Sequence, residues 1–324
     1  MDHKTIGLLE TALRKREALK RYTNALRLVN GFGDGLKGLV LEQYDRHFVA
    51  QIFHERWLKE KEALVSFVKT RCDAQYLIIK DRSESSASHP ARPGPDALIG
   101  TFKTSVWIEG NSSKTLVQEH GLKFEVDLND TLNSGLFLDM RRNRKVVASL
   151  ARGGKVLNCF AYTCSFGVYC RSIGASSVVN VDISPKNLSR GRANYELNRL
   201  IASRNEFIRA DAVQYLKWAL VKENSFDMII FDPPSFARYE GKTFSVKKDL
   251  VRLIDLAIKI LNPDGVLFVS TNFSGLSHTH LENMVRAAAL KRWIKKVQRL
   301  GQDEDFVGGG LMPESYLAAL LVKF

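Results

Sequence analysis

The chain has 324 residues, of which 45% are hydrophobic and 26% are charged, a composition typical of a globular protein large enough for two domains. Lys and Arg number 48 against 35 Asp and Glu, and the net charge of +13 favours a polyanionic partner, with nucleic acid first. No apolar run approaches the roughly 18 residues of a membrane span, and no secretory signal is recognisable, so we expect a cytoplasmic protein with no membrane partner. A basic protein without any role in nucleic-acid binding is the alternative.

The spacing of the four cysteines predicts neither a disulfide framework nor a metal site. They lie at positions 72, 159, 164 and 170, and the separations C-x4-C and C-x5-C fit no standard zinc pattern. We therefore expect reduced thiols and no bound metal.

The first third of the chain predicts a basic helix followed by a small α+β domain. Residues 6–25 read as a helix with an apolar face and a basic face, and the basic face either is solvated or contacts phosphate. Residues 26–110 show short strands and glycine turns around one helix at 58–70, with a strand at 76–79 and a polar, proline-rich loop at 82–97. We assign residues 1–25 to an N-terminal basic helix and 26–110 to a middle domain.

The remainder predicts a mostly parallel α/β domain at residues 111–324, with a lead-in hairpin at 116–127. A helix ends near 153–154, and strands then alternate with helices. The predicted strands are 155–160, 177–182, 206–211, 226–231 and 266–272. The predicted helices are 165–173, 185–200, one ending at 222, 246–261 and 278–292. Two last strands, 294–300 and 316–324, lack a helix between them and predict an antiparallel hairpin at one edge of a Rossmann-like, doubly wound sheet.

Acidic residues stand at or just past three of these strand ends. Asp232 follows an apolar strand and precedes Pro233 and Pro234, which cannot continue a sheet ladder, so its carboxylate lies at the edge where open α/β sheets bind ligands. The alternative is an ordinary Asp-Pro turn. Asp182, at the tip of the second strand, is placed for ribose hydroxyls, and Asp211 ends the third strand.

The first strand-to-helix turn narrows the choice of cofactor. Residues 160–167 contain no G-x-G-x-x-G, which disfavours a dinucleotide, and no phosphate-binding P-loop occurs in the chain. A nucleoside without a pyrophosphate tolerates bulkier side chains at this turn. S-adenosylmethionine is such a ligand.

Several motifs together resemble one family. They are Phe160-x-Tyr-Thr, Val-Asp-Ile-Ser at 181–184, Ala-Asn at 193–194 with Leu-Asn at 197–198, Asp-Ala at 211–212, and Asp-Pro-Pro-Ser-Phe-Ala at 232–237. These resemble class I S-adenosylmethionine-dependent methyltransferases, and more narrowly the bacterial 23S rRNA methyltransferases of the RlmI and RlmK type. Residues 135–144 are similar to that family's Gly-x-Phe-x-Asp-x-Arg-x-Asn-Arg segment, and residues 30–39 resemble the start of its middle domain.

The resemblance implies a cofactor site at three strand ends. The first turn would wrap the methionine part of S-adenosylmethionine with Phe160, Ala161, Tyr162 and Thr163. Asp182 would bind the ribose and Ile183 would pack on the adenine. Asp211 with Ala212 would meet the adenine amino edge, and Asp232 would lie near the sulfonium and the target base.

Two positions depart from the family pattern. Cys164 replaces the glycine of the usual Tyr-Thr-Gly turn, which would crowd the cofactor or shift the loop. Phe273 stands where the family's cytosine C5 enzymes carry a nucleophilic cysteine, because residues 270–276 read Ser-Thr-Asn-Phe-Ser-Gly-Leu. Attack by C5 of cytosine requires a thiolate to add first to C6. Cys159 or Cys164 is an alternative nucleophile, although each is expected to be structural.

Methylation of a nitrogen needs no such thiolate, because the nitrogen is already the nucleophile and must only be aligned. We therefore predict N-methylation, with a catalytic set of Asp232, Pro233, Ser235, Phe236 and Asn272. The Asp-Pro-Pro turn would supply a carboxylate and carbonyl acceptors. Phe236 or Phe273 would stack on the base, or else pack in the core. Asn272 would read a base edge or cap the following helix.

The expected partner is ribosomal RNA, and the basic runs fit it. Arg141, Arg142, Arg144 and Lys145 precede the first strand of the sheet, and a second run occupies 291–299. Many family members carry an N-terminal RNA-binding module of the PUA type. Only residues 1–25 precede the middle domain here, so we expect no such module, and we expect the middle domain and the basic helix to recognise the RNA.

Three alternatives to N-methylation of ribosomal RNA stay open from the sequence. The first is a cytosine C5 rRNA methyltransferase with a displaced nucleophile. The second is a non-catalytic RNA-binding protein on a methyltransferase scaffold. The third, a protein or small-molecule methyltransferase, is disfavoured by the net charge of +13.

Overall fold

The structure is a computed structural model that describes residues 1–83, 103–108, 110, 112–130, 133–234, 236–239, 242–273, 275–290, 292–308 and 317–324. The chain forms two compact units. Unit 1 comprises Met1–Asp139 with Asp303–Ser315, and unit 2 comprises Met140–Gln302 with Tyr316–Phe324. The proline-rich loop predicted at 82–97 lies, from residue 84 onward, outside the described residues. No described helix is both long and apolar enough to cross a lipid bilayer.

Unit 1 is a five-stranded sheet with helices and a separate hairpin. Its helices are α1 (His3–Arg16), α2 (Glu55–Lys59) and α3 (Lys61–Cys72). Its strands are β1 (Ala25–Asn30), β2 (Leu39–Tyr44), β3 (His47–Ile52), β4 (Tyr76–Asp81), β5 (Lys103–Ile108), β6 (Lys114–Glu119) and β7 (Leu122–Asp127). The sheet order is β1-β2-β3-β4-β5, and β6 pairs with β7. The helix predicted at 6–25 ends at Arg16 as an α-helix and continues only as a 3-10 turn, Glu17–Arg21, before the chain enters β1.

The β6–β7 hairpin packs against the start of unit 1. His120 donates its backbone N–H to the carbonyl of Tyr22 (2.7 Å), and Gln118 donates to the side chain of Asn24 (2.6 Å). The sequence prediction placed this hairpin with the second domain, beyond residue 110. Its hydrogen bonds place it instead with the small sheet in unit 1.

Unit 2 is a seven-stranded sheet flanked by helices. Its helices are α4 (Arg141–Ala148), α5 (Ser165–Ser172), α6 (Pro185–Leu197), α7 (Ala212–Val221), α8 (Val246–Ile260) and α9 (His278–Ala288). Its strands are β8 (Lys155–Cys159), β9 (Ser177–Asp182), β10 (Phe207–Arg209), β11 (Phe226–Phe231), β12 (Phe236–Tyr239), β13 (Lys242–Ser245), β14 (Leu261–Thr271), β15 (Lys296–Leu300) and β16 (Ala318–Lys323).

The sheet order of unit 2 is β10-β9-β8-β11-β14-β16-β15, and the first five strands run parallel. β16 pairs antiparallel with both β14 and β15, which confirms the predicted antiparallel hairpin at one edge. The chain leaves β8 toward β9 on one side and reaches β11 on the other. Such a reversal of strand order opens a crevice at the carboxyl ends of the strands, where ligands bind in this class of fold.

The pattern of burial explains why these segments form the sheet. Ile229, Ile230 and Phe231 on the central strand β11 are each 0% exposed, as a strand covered on both faces requires. One hairpin, β12–β13, was not predicted. It follows directly after the Asp-Pro-Pro turn, and the alternation of Phe-Ala-Arg-Tyr and Lys-Thr-Phe-Ser around Glu-Gly is its signal in the sequence.

A buried ion pair holds α1 against the turn after β1 within unit 1. The Nη1 and Nη2 atoms of Arg16 donate to the carboxylate of Asp34, at 2.6 and 2.8 Å, and both side chains are 1% exposed. Arg16 also donates to the carbonyl of Asp305 (2.9 Å). Arg16 therefore belongs to the interior of unit 1 and not to the predicted RNA-contacting face of the first helix.

We expect Asp34→Ala to lower the free energy of unfolding of unit 1 by about 3–5 kcal/mol, because it leaves the Arg16 charge buried without its counter-ion. Glu17→Ala is the matched control, because it breaks an exposed pair with Lys20 that is worth less than about 1 kcal/mol. Hydrogen exchange of unit 1 amides under increasing urea measures both. Equal effects of the two substitutions would refute the stabilising role of the buried pair.

Candidate active site

The register of the parallel strands brings three predicted site residues to one level of the sheet edge. Cys159 on β8 is the partner of Val181 on β9 and of Phe231 on β11. The residues that follow these three along their strands are Phe160, Asp182 and Asp232. The crevice of unit 2 is therefore lined by an aromatic turn with one carboxylate on each side.

The carboxylate of Asp182 accepts three hydrogen bonds, which fix its orientation. Its Oδ2 accepts from the backbone N–H of Tyr162 (2.8 Å). Its Oδ1 accepts from the backbone N–H of Ser184 (2.8 Å) and from the side-chain amide of Asn187 (3.3 Å). Burial raises the pKa of Asp182, and the hydrogen bonds from Ser184 and Tyr162 act in the opposite direction. Two carboxylate oxygens offer about four acceptor positions, and three are used, so about one is left for a ribose hydroxyl.

The turn after β8 has an unusual backbone. Phe160, Tyr162 and Cys164 have φ values of 57°, 49° and 59°, a left-handed region that costs about 1–2 kcal/mol for a residue with a side chain. Neighbouring groups hold this conformation. Ala161 donates its N–H to Val181 O (3.0 Å), outside the strand ladder. Strain of this kind is characteristic of ligand sites, where the surroundings maintain it.

Helix α6 contacts the same turn and stabilises it. Asn194, which is fully buried, donates its side-chain amide to the carbonyl of Thr163 (3.0 Å). Thr163 itself is 0% exposed and Ala161 is 7% exposed, so Thr163 contributes to the site through its backbone position and not through its side chain. Phe160 and Tyr162 are half-buried and form the accessible part of the turn.

Cys164 is accommodated inside unit 2. Its side chain is 0% exposed and lies against Gly191 of α6. A Cβ atom added at residue 191 would stand 2.3 Å from the Cys164 sulfur. The space that the thiol occupies is therefore the space that a side chain at 191 would take. The expectation that this cysteine crowds the cofactor is wrong, because its side chain points into the packing between the turn and α6.

Asp211 and its neighbours form the third strand end. The side chain of Asp211 caps α7 by accepting from the backbone N–H of Gln214 (3.0 Å). Ala212 is 4% exposed and packs in the core, while Ile183 at the second strand end is half-buried. Asp211 lies close enough to the end of β8 that its charge contributes, after burial, to raising the pKa of Cys159.

Asp232 is oriented by the neighbouring strand. The hydroxyl of Ser270 on β14 lies 2.7 Å from Asp232 Oδ1 and 3.2 Å from the carbonyl of Phe231. Ser270 is fully buried, Asp232 is half-buried and Pro233 is buried. A rigid turn and a buried hydroxyl therefore fix this carboxylate at the sheet edge.

The other predicted catalytic residues differ in what the structure shows. Asn272 is exposed just beyond β14, and Ser277, not Asn272, caps α9, so the capping interpretation of Asn272 is wrong. Phe273 is half-buried, and its N–H donates to Thr271 Oγ1 (3.1 Å). Ser235 lies outside the described residues. Phe236 begins β12, and its side chain is likewise outside them.

Three residues near the site were missed in the sequence. The ring of Phe244 on β13 lies 5.4 Å from the ring of Phe160, and Ser245 next to it donates its N–H to Asp249 of α8 (2.8 Å). The β-hairpin pattern after the Asp-Pro-Pro turn was the available signal. Asn187, which holds Asp182, carries no local signal, because its role depends on where α6 packs. Asn194 belongs to the Ala-Asn motif at 193–194, but the motif did not predict its hydrogen bond to Thr163.

Two arginines expected to contact RNA are inside unit 2. Arg141 and Arg144 are each 0% exposed, and Arg144 lies over the ring of Tyr169 at 5.9 Å. Arg142 and Lys145, on the other side of α4, are exposed. The prediction that this run contacts phosphate is therefore wrong for Arg141 and Arg144, since the helical period turns both inward.

The four cysteines are free thiols in the structure. Burial raises the pKa of Cys170 to about 12 and that of Cys72 to about 11. Burial also raises the pKa values of Cys159 and Cys164, both 0% exposed, far above the ordinary thiol range. Among the described residues, no cluster of three or more His, Cys, Asp or Glu side chains is arranged to hold a metal ion.

Comparisons with known proteins agree with this arrangement. Residues 95–323 match the protein family described as S-adenosylmethionine-dependent methyltransferase. The ribosomal RNA large subunit methyltransferase I of Aeromonas salmonicida is 32% identical over 318 residues, which cover 96% of this chain and 76% of that protein. The protein of the same name from Photobacterium profundum is 30% identical over 316 residues, which cover 97% of this chain and 76% of that one.

A solved structure is similar over most of the chain. The crystal structure of SMU.776 complexed with SAH has a TM-score of 0.84 and 25% sequence identity. The similarity covers 98% of this chain and 80% of that one. S-adenosylmethionine fits the residues found here for two reasons. The fixed carboxylate of Asp182 can accept a hydrogen bond from a ribose hydroxyl, and the ligand has no pyrophosphate that would require a glycine-rich turn beside it.

We expect Asp182→Ala to raise the dissociation constant for S-adenosylmethionine at least about a hundredfold, because hydrogen bonds to a charged acceptor contribute about 1.5–3 kcal/mol each. Asp227→Ala is the control, since Asp227 is an exposed residue of β11 that bonds to Lys155 and Asn262. Calorimetry measures binding, and circular dichroism checks the fold. Normal binding by Asp182→Ala would show that the ribose is placed wrongly.

The raised pKa of Asp182 also predicts a pH dependence. Binding through ribose hydroxyls favours the ionised carboxylate, so affinity should be full above the raised pKa and should fall as the pH drops through it. The dissociation constant is measured at decreasing pH, from neutral pH down to the ordinary aspartate pKa of about 3.9, and the fall should begin above that value. Asp182→Asn should lose this dependence, and an unchanged pH profile in that variant would refute the assignment.

We expect Gly191→Ala to weaken S-adenosylmethionine binding, because the added Cβ collides with the Cys164 sulfur and displaces the turn. Cys164→Gly should restore binding in the Gly191→Ala background, since it removes the colliding side chain. A double-mutant cycle on the dissociation constant should give a coupling energy of about 0.5–3 kcal/mol. Strictly additive effects would contradict the packing described for Cys164.

Proposed function

The chain belongs to the S-adenosylmethionine-dependent methyltransferase family, and on that premise we propose that it methylates a nitrogen of a base in ribosomal RNA of the large subunit. The resemblance seen in the sequence and its cofactor, S-adenosylmethionine, are thereby confirmed. The substrate is supported by the relatives named ribosomal RNA large subunit methyltransferase I and by the net charge of +13.

Binding of the cofactor falls to the turn and the two strand ends beside it. Asp182 would accept from the ribose hydroxyls, while Ile183 and the accessible ring of Phe160 supply apolar surface. Asp211 with Ala212 would meet the adenine amino edge. Phe244 packs on Phe160 and so stabilises the wall of the site on the β13 side. When bound, S-adenosylmethionine supplies an electrophilic methyl group on a sulfonium.

Asp232 is the residue we assign to the base. Its carboxylate would accept a hydrogen bond from a ring N–H or exocyclic amine, align the nitrogen and take up the proton that the nitrogen releases. Ser270 keeps this carboxylate in one orientation, because its hydroxyl is buried and lies 2.7 Å away. Pro233 stiffens the turn, and Ser235, Phe236 and Asn272 stay proposed contacts to the base.

The burial of the thiols is the observation that favours a nitrogen, and not C5 of cytosine, as the methylated atom. Addition to C6 requires a reactive thiolate, and reactive thiols lie in partly exposed, electropositive surroundings. Cys159, Cys164 and Cys170 are all 0% exposed with raised pKa values, and Phe273 occupies the position of the family's nucleophile. The burial of these thiols therefore favours a mechanism in which the enzyme forms no covalent bond to the base.

We assign recognition of the RNA to unit 1, that is, to the middle domain predicted at 26–110 and to the exposed basic residues of α1 and of the 3-10 turn that follows it. Arg14, Lys15 and Lys20 are exposed, in contrast to Arg16. Phosphate contacts of this kind increase affinity without selecting a sequence.

We expect Asp232→Asn to lower kcat for methylation of rRNA isolated from cells lacking the gene by about 10²–10⁴, the usual contribution of a positioned acid or base. The KM for S-adenosylmethionine should change little. Ser270→Ala is the graded comparison, because it removes only the orienting hydrogen bond and should cost about fivefold. Full activity of Asp232→Asn would remove Asp232 from the mechanism.

We also expect no covalent complex with RNA that contains 5-fluorocytosine, because no thiol is placed to add to C6. Denaturing electrophoresis after incubation with S-adenosylmethionine detects such a complex. A trapped adduct would replace the nitrogen proposal with C5 chemistry. Failure of the wild-type protein to bind S-adenosylmethionine at millimolar concentration would instead favour the non-catalytic RNA-binding alternative.

A further inference from the structure

The loop between α9 and β15 is anchored to unit 2 by Arg292. Its guanidinium donates to the carbonyls of Ile258 (2.7 Å), Leu261 (2.6 Å) and Asn262, at the end of α8. It also lies over the ring of Phe324 at 5.1 Å. Arg292 is thus a structural residue of the basic run at 291–299, and its hydrogen bonds fix the chain at residue 292.

Two large apolar side chains of the same loop point into solvent. Leu290 is 87% exposed and Trp293 is 81% exposed, although Arg292 between them and Ile294 after them are packed on the core. Because the anchored neighbours fix the backbone, Trp293 is presented on an ordered surface. An exposed tryptophan on ordered backbone is characteristic of a contact site.

Lysines follow this tryptophan in the chain and also occupy the neighbouring strand. Lys296 of β15 and Lys323 of β16 are direct partners across the strand pair, and both are exposed. Like charges directly opposite each other destabilise a strand pair unless an anion lies near them. Lys295 pairs with Asp264, whose pKa is lowered first by the hydrogen bond from Lys295 and more weakly by the charge of Lys323. Lys295 and Lys323 therefore act on Asp264, while Lys296 adds a further positive charge, and the surface stays positive.

This cluster lies at the opposite end of the sheet from the methyl-transfer site. Phe324, next to Lys323, donates its N–H to the carbonyl of Gly265 near the start of β14, whereas Asp232 and Ser270 lie where β11 and β14 end. Residues 290, 293, 295, 296 and 323 are named the Trp293 surface. Its exposed groups have no role in the site described above.

We propose that the Trp293 surface binds a single-stranded stretch of the RNA substrate, with an unpaired base stacked on Trp293 and phosphates on Lys296 and Lys323. The inference rests on the proposed function for the identity of the RNA. Aromatic stacking next to lysines is the combination that proteins use to hold single strands without reading their sequence. The positive charge favours RNA over an apolar protein partner.

The test measures binding of a fluorescein-labelled 20-nucleotide oligouridylate at several salt concentrations. We expect Trp293→Ala to weaken binding about fivefold to a hundredfold, the effect of losing one base–aromatic stack, with an unchanged salt dependence. Trp293→Phe should keep most of the affinity. The pair Lys296→Gln and Lys323→Gln should reduce the slope of log affinity against log salt by about 1.4.

The matched controls are Trp218→Ala and Lys217→Gln on α7, where Trp218 is 49% exposed and Lys217 is also exposed. Affinity for S-adenosylmethionine should be normal in every variant. Equal binding by Trp293→Ala and wild type, equal losses in the controls, or a Trp293-dependent change in sedimentation that marks self-association would each overturn the inference.

The result separates this inference from the proposed function. A protein that methylates rRNA but binds oligouridylate equally well with and without Trp293 retains the proposed function and refutes the Trp293 surface. A protein that methylates no rRNA but needs Trp293 to bind oligouridylate retains the Trp293 surface and refutes the proposed function.

Discussion

The site depends on the hydrogen bonds that fix the carboxylate of Asp182. One side chain joins the turn after β8, through the N–H of Tyr162, to the end of β9 and the start of α6, through Ser184 and Asn187. These bonds offset part of the desolvation that raises the pKa of Asp182. The carboxylate that we propose as the ribose acceptor is thereby in place before a ligand arrives, and preorganisation of this kind reduces the ordering cost of binding.

Helix α6 carries this constraint to the rest of the turn. Asn194 holds the carbonyl of Thr163, and Gly191 leaves the space that Cys164 fills. A bulkier residue in the turn is therefore matched by a missing side chain on the helix, which explains how the cysteine is compatible with the family's cofactor. On the other side of β8, Ser270 constrains Asp232 in a comparable way, so both carboxylates of the crevice have one orientation.

Much of this arrangement could be predicted from sequence, because strand ends have strong local signals. The alternation of apolar strands and helices placed Asp182 and Asp232 at one sheet edge, and the register confirms that edge. Which charged side chains are buried was harder to predict. Arg141 and Arg144 have the composition of a phosphate-binding run, yet helix packing turns them inward. Phe244 was missed because its contact with Phe160 joins two segments that are distant in sequence.

We propose that the crevice between Asp182 and Asp232 is where a nitrogen of a ribosomal RNA base is methylated. Mass-spectrometric mapping of modified nucleotides in large-subunit rRNA, from cells with and without the gene, tests it most directly. We expect that one base methylated on nitrogen loses its methyl group in the deletion strain and regains it with the wild-type gene but not with Asp232→Asn. An unchanged set of modifications, or loss of a methyl group from a carbon atom, would contradict it.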